Sequence, residues 1–298
     1  MELRVLRYFL AVVREENILR ASEVLHITQP SLSRQLAQME EKLGAKLFER
    51  GNRKITLTEA GMLLRRRAEE LVALADKTEQ EFSELNGGDD ISGVISIGSG
   101  EISAVSELAK MIKEFTAKYP NISFNFYSGN ADNTKDQIDK GLMDFGLLLE
   151  PVEIDKYDFI RMPVREHWVA VMPKNSPLAG KDSVTPQDLK GKPLILPSRD
   201  KVKSELANWF GASYDKLNVF SSNNLINNAA MLVEQGLGYA LSVQGAVSMY
   251  GSDKVCVKRL HPDLISTSVI AWKKHQPMGA AAAKFLNHIA MSVEHSKV

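Results

Sequence analysis

Cysteine is almost missing from this chain of 298 residues. Cys256 stands alone, which excludes an intramolecular disulfide. It sits in the alternating run Lys254-Val255-Cys256-Val257, where a buried structural thiol is expected rather than a redox sensor. No apolar stretch approaches the ~20 residues that a membrane helix needs. The start, Met-Glu-Leu-Arg, carries no apolar signal region. A soluble, cytoplasmic protein with no membrane partner is therefore expected. His26, His167, His261, His275, His288 and His295 fall at no metal-ligand spacing. No glycine-rich loop ends in Lys-Ser or Lys-Thr. The sequence thus predicts no metal, no cofactor and no catalytic residue.

Net charge is missing too, since 37 Lys and Arg balance 37 Asp and Glu, but the balance hides a strong asymmetry. Residues 1–67 hold 13 Lys and Arg against 8 Asp and Glu, a net of +5. Residues 68–90 hold 1 against 8, a net of −7, and the remaining 23 and 21 nearly cancel. A basic head followed by an acidic stretch is the electrostatic footprint of a phosphate-binding N-terminal domain. The length suggests about two domains.

Within the head, Asn17 through Gln35 reads as two short helices joined by a tight turn. Asn17 is a good N-cap for the first. Thr28 is expected to cap the second, with Pro30 in its first turn, where a missing N–H costs nothing. Ala21, Leu25, Ile27, Leu32 and Leu36 recur at inward spacings. That leaves Gln29, Ser31, Ser33, Arg34 and Gln38 outside, with no acidic residue until Glu40. Such a face suits a DNA major groove. Two short strands, Leu47 to Arg50 and Lys54 to Leu57, flank the turn Gly51-Asn52-Arg53 and make a basic wing. Thr58-Glu59-Ala60-Gly61 then opens a long helix with a Thr cap and an acidic first turn.

Residues 1–61 resemble the N-terminal domain of the LysR-type transcriptional regulators. The resemblance rests on Phe9, Ala21, Leu25, Gln29, Pro30, Ser33, Arg34, Leu36, Glu40, Leu43, Gly44, Leu47, Phe48, Arg50 and Leu57 to Gly61. Asn17, Ser22 and Met39 depart from the family's usual Ser, Ala and Leu but keep the cap or the packing volume. The resemblance implies an N-terminal winged helix-turn-helix over 1–57. Its DNA contacts would come from Thr28, Gln29, Pro30, Ser31, Ser33, Arg34 and Gln38, and from Arg50, Arg53 and Lys54 on the wing.

Residues 58–86 read as a connector helix. Leu64, Ala68, Leu71, Ala75, Thr78, Phe82 and Leu85 step by four and three, the seam of a coiled coil. Such a stripe needs a partner, either its own chain or a second copy, and the second copy is preferred because two-fold DNA sites are read by dimers. Leu64, Leu71 and Phe82 are therefore the expected dimerisation residues of a homodimer or homotetramer, and the family dimerises through this helix. The polar, glycine-containing stretch 87–90 is the expected hinge.

From 91 to 298 strands alternate with helices, the sign of an α/β domain. One half spans about 91–163 and 266–298, the other about 164–265, with two crossings that make a hinged cleft. This plan resembles the effector-binding domain of the same family, which is built like periplasmic solute receptors. Ligands of such sheets sit beyond the carboxyl ends of the strands. Four loops qualify there, offering Ser99, Gly100, Glu101 and Ser103; Gly129 and Asn130; Ser198 and Arg199; and Asn223. Arg199 could hold a carboxylate, whereas Glu101 would repel an anion, so ligand charge stays open.

Competing chemistry is thinly represented. Gly98-Ser99-Gly100 begins like a dinucleotide fingerprint, but Ser103 replaces the third glycine. Ser198-Arg199-Asp200-Lys201 has the Ser-x-x-Lys spacing without the partner motifs of acyl enzymes. An enzyme with a DNA-binding head would need an acid–base or nucleophile pair, and a solute receptor would need an export signal. The sequence is read as a ligand-responsive transcription factor, not an enzyme. Its partners would be inverted-repeat operator DNA and a small metabolite, with RNA polymerase a further candidate partner.

Overall fold

Asn17 begins the second helix as its sequence suggests. Its side-chain oxygen accepts from the Arg20 N–H. The computed structural model describes residues 1–50, 54–85, 91–248, 250 and 253–295, with backbone alone for residues 50 and 83–85. The predicted wing tip at Gly51, Asn52 and Arg53 and the predicted hinge at 87–90 lie outside the described residues. So do the side chains of Arg50 and Leu85. The chain divides into two units, Met1–Phe82 and Ser83–Val298.

The first unit contains α1 (Leu3–Glu15), α2 (Ile18–Val24), α3 (Gln29–Leu43), β1 (Phe48–Arg50), β2 (Ile55–Leu57) and nearly all of α4 (Glu59–Leu85). Val5, Leu6, Phe9 and Val12 of α1 bury one face against Ala21, Leu32, Leu36 and Met39. Leu25 and Ile27, expected inside, are half-buried. Thr28 is the N-cap of α3 by backbone only, because its hydroxyl makes no capping bond. β1 and β2 pair antiparallel, Phe48 opposite Leu57. Thr58 holds the start of α4 by accepting from the Gly61 N–H while donating to the Lys46 carbonyl. Gly61 is dictated by contact, since a Cβ there would lie 2.1 Å from the Leu47 oxygen.

α4 departs from the simple seam. Leu64 and Ala68 are buried in the first unit's own core, with Val72 packed beside them. Leu71 and Phe82 are exposed, as are Leu63 and Leu74. Of the stripe read as one seam, Leu64 and Ala68 are spent on the head, while Leu71 and Phe82 stay exposed. Leu64, expected at a dimer interface, is a core residue.

The second unit has two halves. In the first, β3 (Gly93–Ser99), α5 (Ala104–Lys118), β4 (Ile122–Ser128), α6 (Ala131–Asp139), β5 (Phe145–Leu149) and β6 (Tyr157–Arg161) precede the crossing. The second half contains β7 (Glu166–Pro173), β8 (Ser183–Val184), α7 (Pro186–Leu189), β9 (Pro193–Pro197) and α8 (Asp200–Phe210), followed by a 3-10 turn, Gly211–Lys216. It continues through β10 (Asn218–Asn223), α9 (Ile226–Glu234), β11 (Tyr239–Val243), α10 (Gln244–Ser248), β12 (Val255–Leu260) and β13 (Ile265–Ser266). β14 (Ser268–Lys273) and α11 (Ala280–His295) return to the first half.

The first half's sheet runs β4-β3-β5-β14-β6, and the second's runs β10-β9-β11-β7-β12-β8 with β13 beside β7. β5 shows how alternation builds both faces. Phe145 and Leu147 join the main core, which includes Phe115 and Phe285, while Leu148 joins Ala131 and Ile138 of α6 on the opposite side. The two crossings lie side by side, with Ser266 opposite Glu166 and Ile265 opposite His167. Trp168 Nε1 donates to the Ser266 hydroxyl at 2.9 Å and ties them. Cys256 is half-buried on β12, not buried as its alternating pattern suggested. Among the described residues no helix is long and apolar enough to cross a membrane.

Candidate functional site

Two regions gather the residues singled out by sequence. The first is the outer face of α3. Thr28, Gln29, Pro30, Ser31, Arg34 and Gln38 are exposed and Ser33 is half-buried, its hydroxyl accepting from Gln29 Nε2 at 3.2 Å. α3 packs its inner face, Leu32, Leu36 and Met39, against the head core, which fixes the polar face outward. Behind it, burial works to raise the Glu40 carboxyl. The Lys46 ammonium and the Leu47 N–H outweigh this and hold it below the usual carboxylate range. Lys54, expected among the DNA contacts, is paired with Glu16 at the end of α1. A protein–protein pair of that kind is exposed and easily exchanged for another anion.

The second region is a cleft in the second unit, of about 90 Å³. It lies beyond the carboxyl ends of β3, β4, β9, β10 and β11. Its walls include Gly100, Glu101, Asn130, Arg199 and Asn223, with Leu147, Leu149, Trp168, Val202 and Ile226 supplying apolar surface. Five of the nine sequence-predicted residues therefore meet at one cavity. Ser99, Ser103, Gly129 and Ser198 are not among its walls.

Each of those has local work of its own. The Ser99 hydroxyl donates to the Gly100 carbonyl, and the Gly129 N–H donates to the Ser99 carbonyl. The Ser198 N–H donates to the Asn223 carbonyl. Ser103 faces the hinge, where both its N–H and its hydroxyl donate to the buried carboxylate of Glu166. The Gly245 N–H reaches the same carboxylate at 3.3 Å. Gly245 must be glycine here, since a Cβ would lie 2.2 Å from the Ser103 nitrogen. Asn130 is both wall and cap, its side-chain oxygen accepting from Asp132 and Asn133 at the start of α6.

Arg199 is the most buried charged wall, 8% exposed. From the second half it donates to the carbonyls of Leu149 (3.3 Å) and Pro151 (3.0 Å) in the first. Its Nε lies 3.5 Å from Asp132. Burial lowers the Arg199 guanidinium below its ordinary value, and Asp132 opposes this. Opposite it, Glu101 accepts from Asn227 of the second half at 2.6 Å. Burial pushes the Glu101 carboxyl up, against the Ile226 N–H and the Asn227 amide. Contacts therefore join the halves from both sides of the cleft, Arg199 on one and Asn227 on the other. Sequence reading missed Glu166, Trp168 and Asn227. Only Glu166 left a signal, a carboxylate at the start of an otherwise apolar strand.

Comparison with known proteins agrees with both regions. Residues 3–62 match the family described as bacterial regulatory helix-turn-helix protein, lysR family. Residues 88–293 match the LysR substrate binding domain. The chain is similar to the Hca operon transcriptional activator HcaR of Escherichia coli (strain K12), 30% identical over 287 residues and 92% of either chain. It is also similar to the regulator AlsR of Bacillus subtilis (strain 168), 26% identical over 93% of each. Among solved structures, CbnR, a LysR family transcriptional regulator, has a TM-score of 0.76 at 19% identity, covering 98% of this chain and 99% of that one. HinK of Pseudomonas aeruginosa has a TM-score of 0.56 at 26% identity, over 98% of both.

Proposed function

The chain belongs to the LysR-type transcriptional regulators, DNA-binding proteins with a C-terminal effector-binding domain and no enzymatic activity. On that premise we propose that the front of α3 reads operator bases and that a small molecule in the cleft sets the arrangement of the heads. The observation that carries the reading is the burial pattern of α3. Its apolar face is used up inside the head, so Gln29, Ser31, Arg34 and Gln38 have solvent or a groove before them.

In this proposal Gln29, Ser33 and Arg34 approach base edges, with Thr28, Pro30, Ser31 and Gln38 around them. Arg50 and Arg53 on the wing hold phosphate or enter the minor groove, with Lys54 a further DNA contact. Base edges carry the sequence information and phosphate contacts fix position.

The outer stripe of α4 supports a dimer. Leu63, Leu71, Leu74 and Phe82 are exposed and, at 3.6 residues per turn, fall within about 100° of one another. A second copy of the helix would bury that surface, and two heads would then read an inverted repeat. The protein would act in the cytoplasm, where RNA polymerase is a further partner.

The test is operator binding at fixed salt, using a site recovered by genome-wide footprinting. Sequence-specific retention by the wild type, lost with Arg34→Ala, supports the assignment. Equal affinity for operator and unrelated DNA in both proteins would sink it.

A further inference from the structure

The effector cleft has an uneven supply of hydrogen-bonding atoms, and the imbalance describes its ligand. Among the described residues, the buried side-chain atoms with no hydrogen-bond partner include Glu101 Oε2, Asn223 Oδ1 and Arg199 Nε, the last with the Asp132 carboxylate 3.5 Å away. All three residues are cleft walls, so the unpartnered atoms there are two acceptors and one donor. Asn223 spends its donor end on the Leu225 carbonyl at 2.9 Å, which fixes its oxygen as the free end. Glu101 spends Oε1 on Asn227, with the Ile226 N–H also acting on its carboxyl.

The cationic wall offers less to a ligand than its charge suggests. Two nitrogens of the Arg199 guanidinium are spent on the first half, Nη1 on the Leu149 carbonyl and Nη2 on the Pro151 carbonyl, and Nε lies 3.5 Å from the Asp132 carboxylate without a hydrogen bond. Asp132 offsets part of its charge. The remaining formal charge on the walls is that of Glu101, and the other walls are mainly apolar or amide. A buried acceptor left without a donor is destabilising, more so when charged. A ligand that supplies donors removes that cost, whereas a carboxylate adds a third acceptor beside two that lack partners.

Resting on the reading of this cleft as the effector site, we infer that the effector is a small cationic donor, an amine or amidine on a compact apolar body, held by Glu101 and Asn223. Its N–H groups bond to Glu101 Oε2 and Asn223 Oδ1, and its apolar body lies among Leu147, Trp168 and Ile226. Charge-assisted bonds of this kind are roughly twice as strong as neutral ones. This assigns Glu101 the ligand's charge and removes Arg199 from the role of carboxylate holder.

The test uses isobutyramidine, isobutyramide and isobutyrate, which share one shape and differ in donors and charge. Each is titrated calorimetrically into the full-length protein, into Glu101→Gln and into Ala246→Leu, which fills the cleft wall. The amidine should bind about tenfold or more tightly than the carboxylate, a difference of about 1.4 kcal/mol, with the amide between. Glu101→Gln should bring amidine and amide to within about threefold, and Ala246→Leu should abolish amidine binding. Isobutyrate binding tightest, and lost in Ala246→Leu, would overturn the donor inference while leaving the cleft as the effector site. Probe binding indifferent to Ala246→Leu would overturn the cleft assignment itself. An amidine that gives no binding, or binds Glu101→Gln unchanged, would also overturn the inference.

Discussion

Ser103 is joined to Glu166 twice, through its backbone N–H and through its hydroxyl at 3.2 Å. A serine whose position suggested ligand contact instead fastens the start of α5 to a buried carboxylate on the crossing strand. Because Gly245 donates to the same carboxylate, one side chain holds both halves and the crossing together. A hydrogen bond to a buried charged group contributes about 1.5–3 kcal/mol. Ser103→Ala should destabilise the protein by that amount in urea unfolding. An unchanged midpoint would show that the hydroxyl is not part of the hinge.

Arg199 makes the opposite connection, from the far side of the cleft. Arg199→Ala removes both carbonyl bonds, and Asp132, which is 57% exposed, is left to water. The expected loss is therefore nearer that of two hydrogen bonds, about 1–3 kcal/mol, than that of a fully buried pair. Arg199→Lys should recover little, because one ammonium cannot reach three acceptors set for a planar fork. Full recovery of stability by Lys would show that charge, not the fork, joins the halves.

The buried and exposed residues of the α4 stripe predict different failures. Leu64 is 8% exposed and its truncation to Ala should cost the first unit about 2–5 kcal/mol. Leu71 is 42% exposed, and Leu71→Lys should leave the fold intact but separate the subunits in sedimentation. An unchanged oligomer in Leu71→Lys would remove the outer stripe from the interface.

On DNA, Arg34→Ala should cost about 1–3 kcal/mol and alter base preference if Arg34 reads a base. Arg53→Ala should weaken all sequences alike and lower the salt slope by about one. Titration against operator and mutated operators at several salt concentrations separates the two. Uniform weakening by Arg34→Ala would demote it to a phosphate contact.

Asp188 predicts a component of acid sensitivity. It closes the capping box with Thr185 at the start of α7. The Lys181 ammonium, with help from the Thr185 N–H, holds its carboxyl down at about 2. A carboxyl lowered on folding contributes stability that is present above its unfolded value, near 4, and is lost as pH falls toward about 2. Asp188→Asn should flatten the unfolding free energy over that window. A wild-type carbon chemical shift titrating near 4 would refute the pairing.

Local chemistry was enough to determine the head, the order of elements and the crossing of the chain between two halves. Asn17, Pro30, the alternation of β5 and the turn residues act within a few positions of themselves, so their consequences are written in sequence spacing. Even the loops at the cleft were legible, because strand ends dictate where they gather. What each loop residue does there was not. Ser99, Ser103 and Asn130 are chemically suited to a ligand, yet their bonds go to Gly100, Glu166 and the start of α6. Partners such as Ser103 and Glu166 lie 63 positions apart, and Arg199 meets Leu149 across 50. The same holds for α4, where one apolar periodicity proved to serve two surfaces. Periodicity reports which side of a helix is apolar, while only the packed head decides how much of that side remains uncovered.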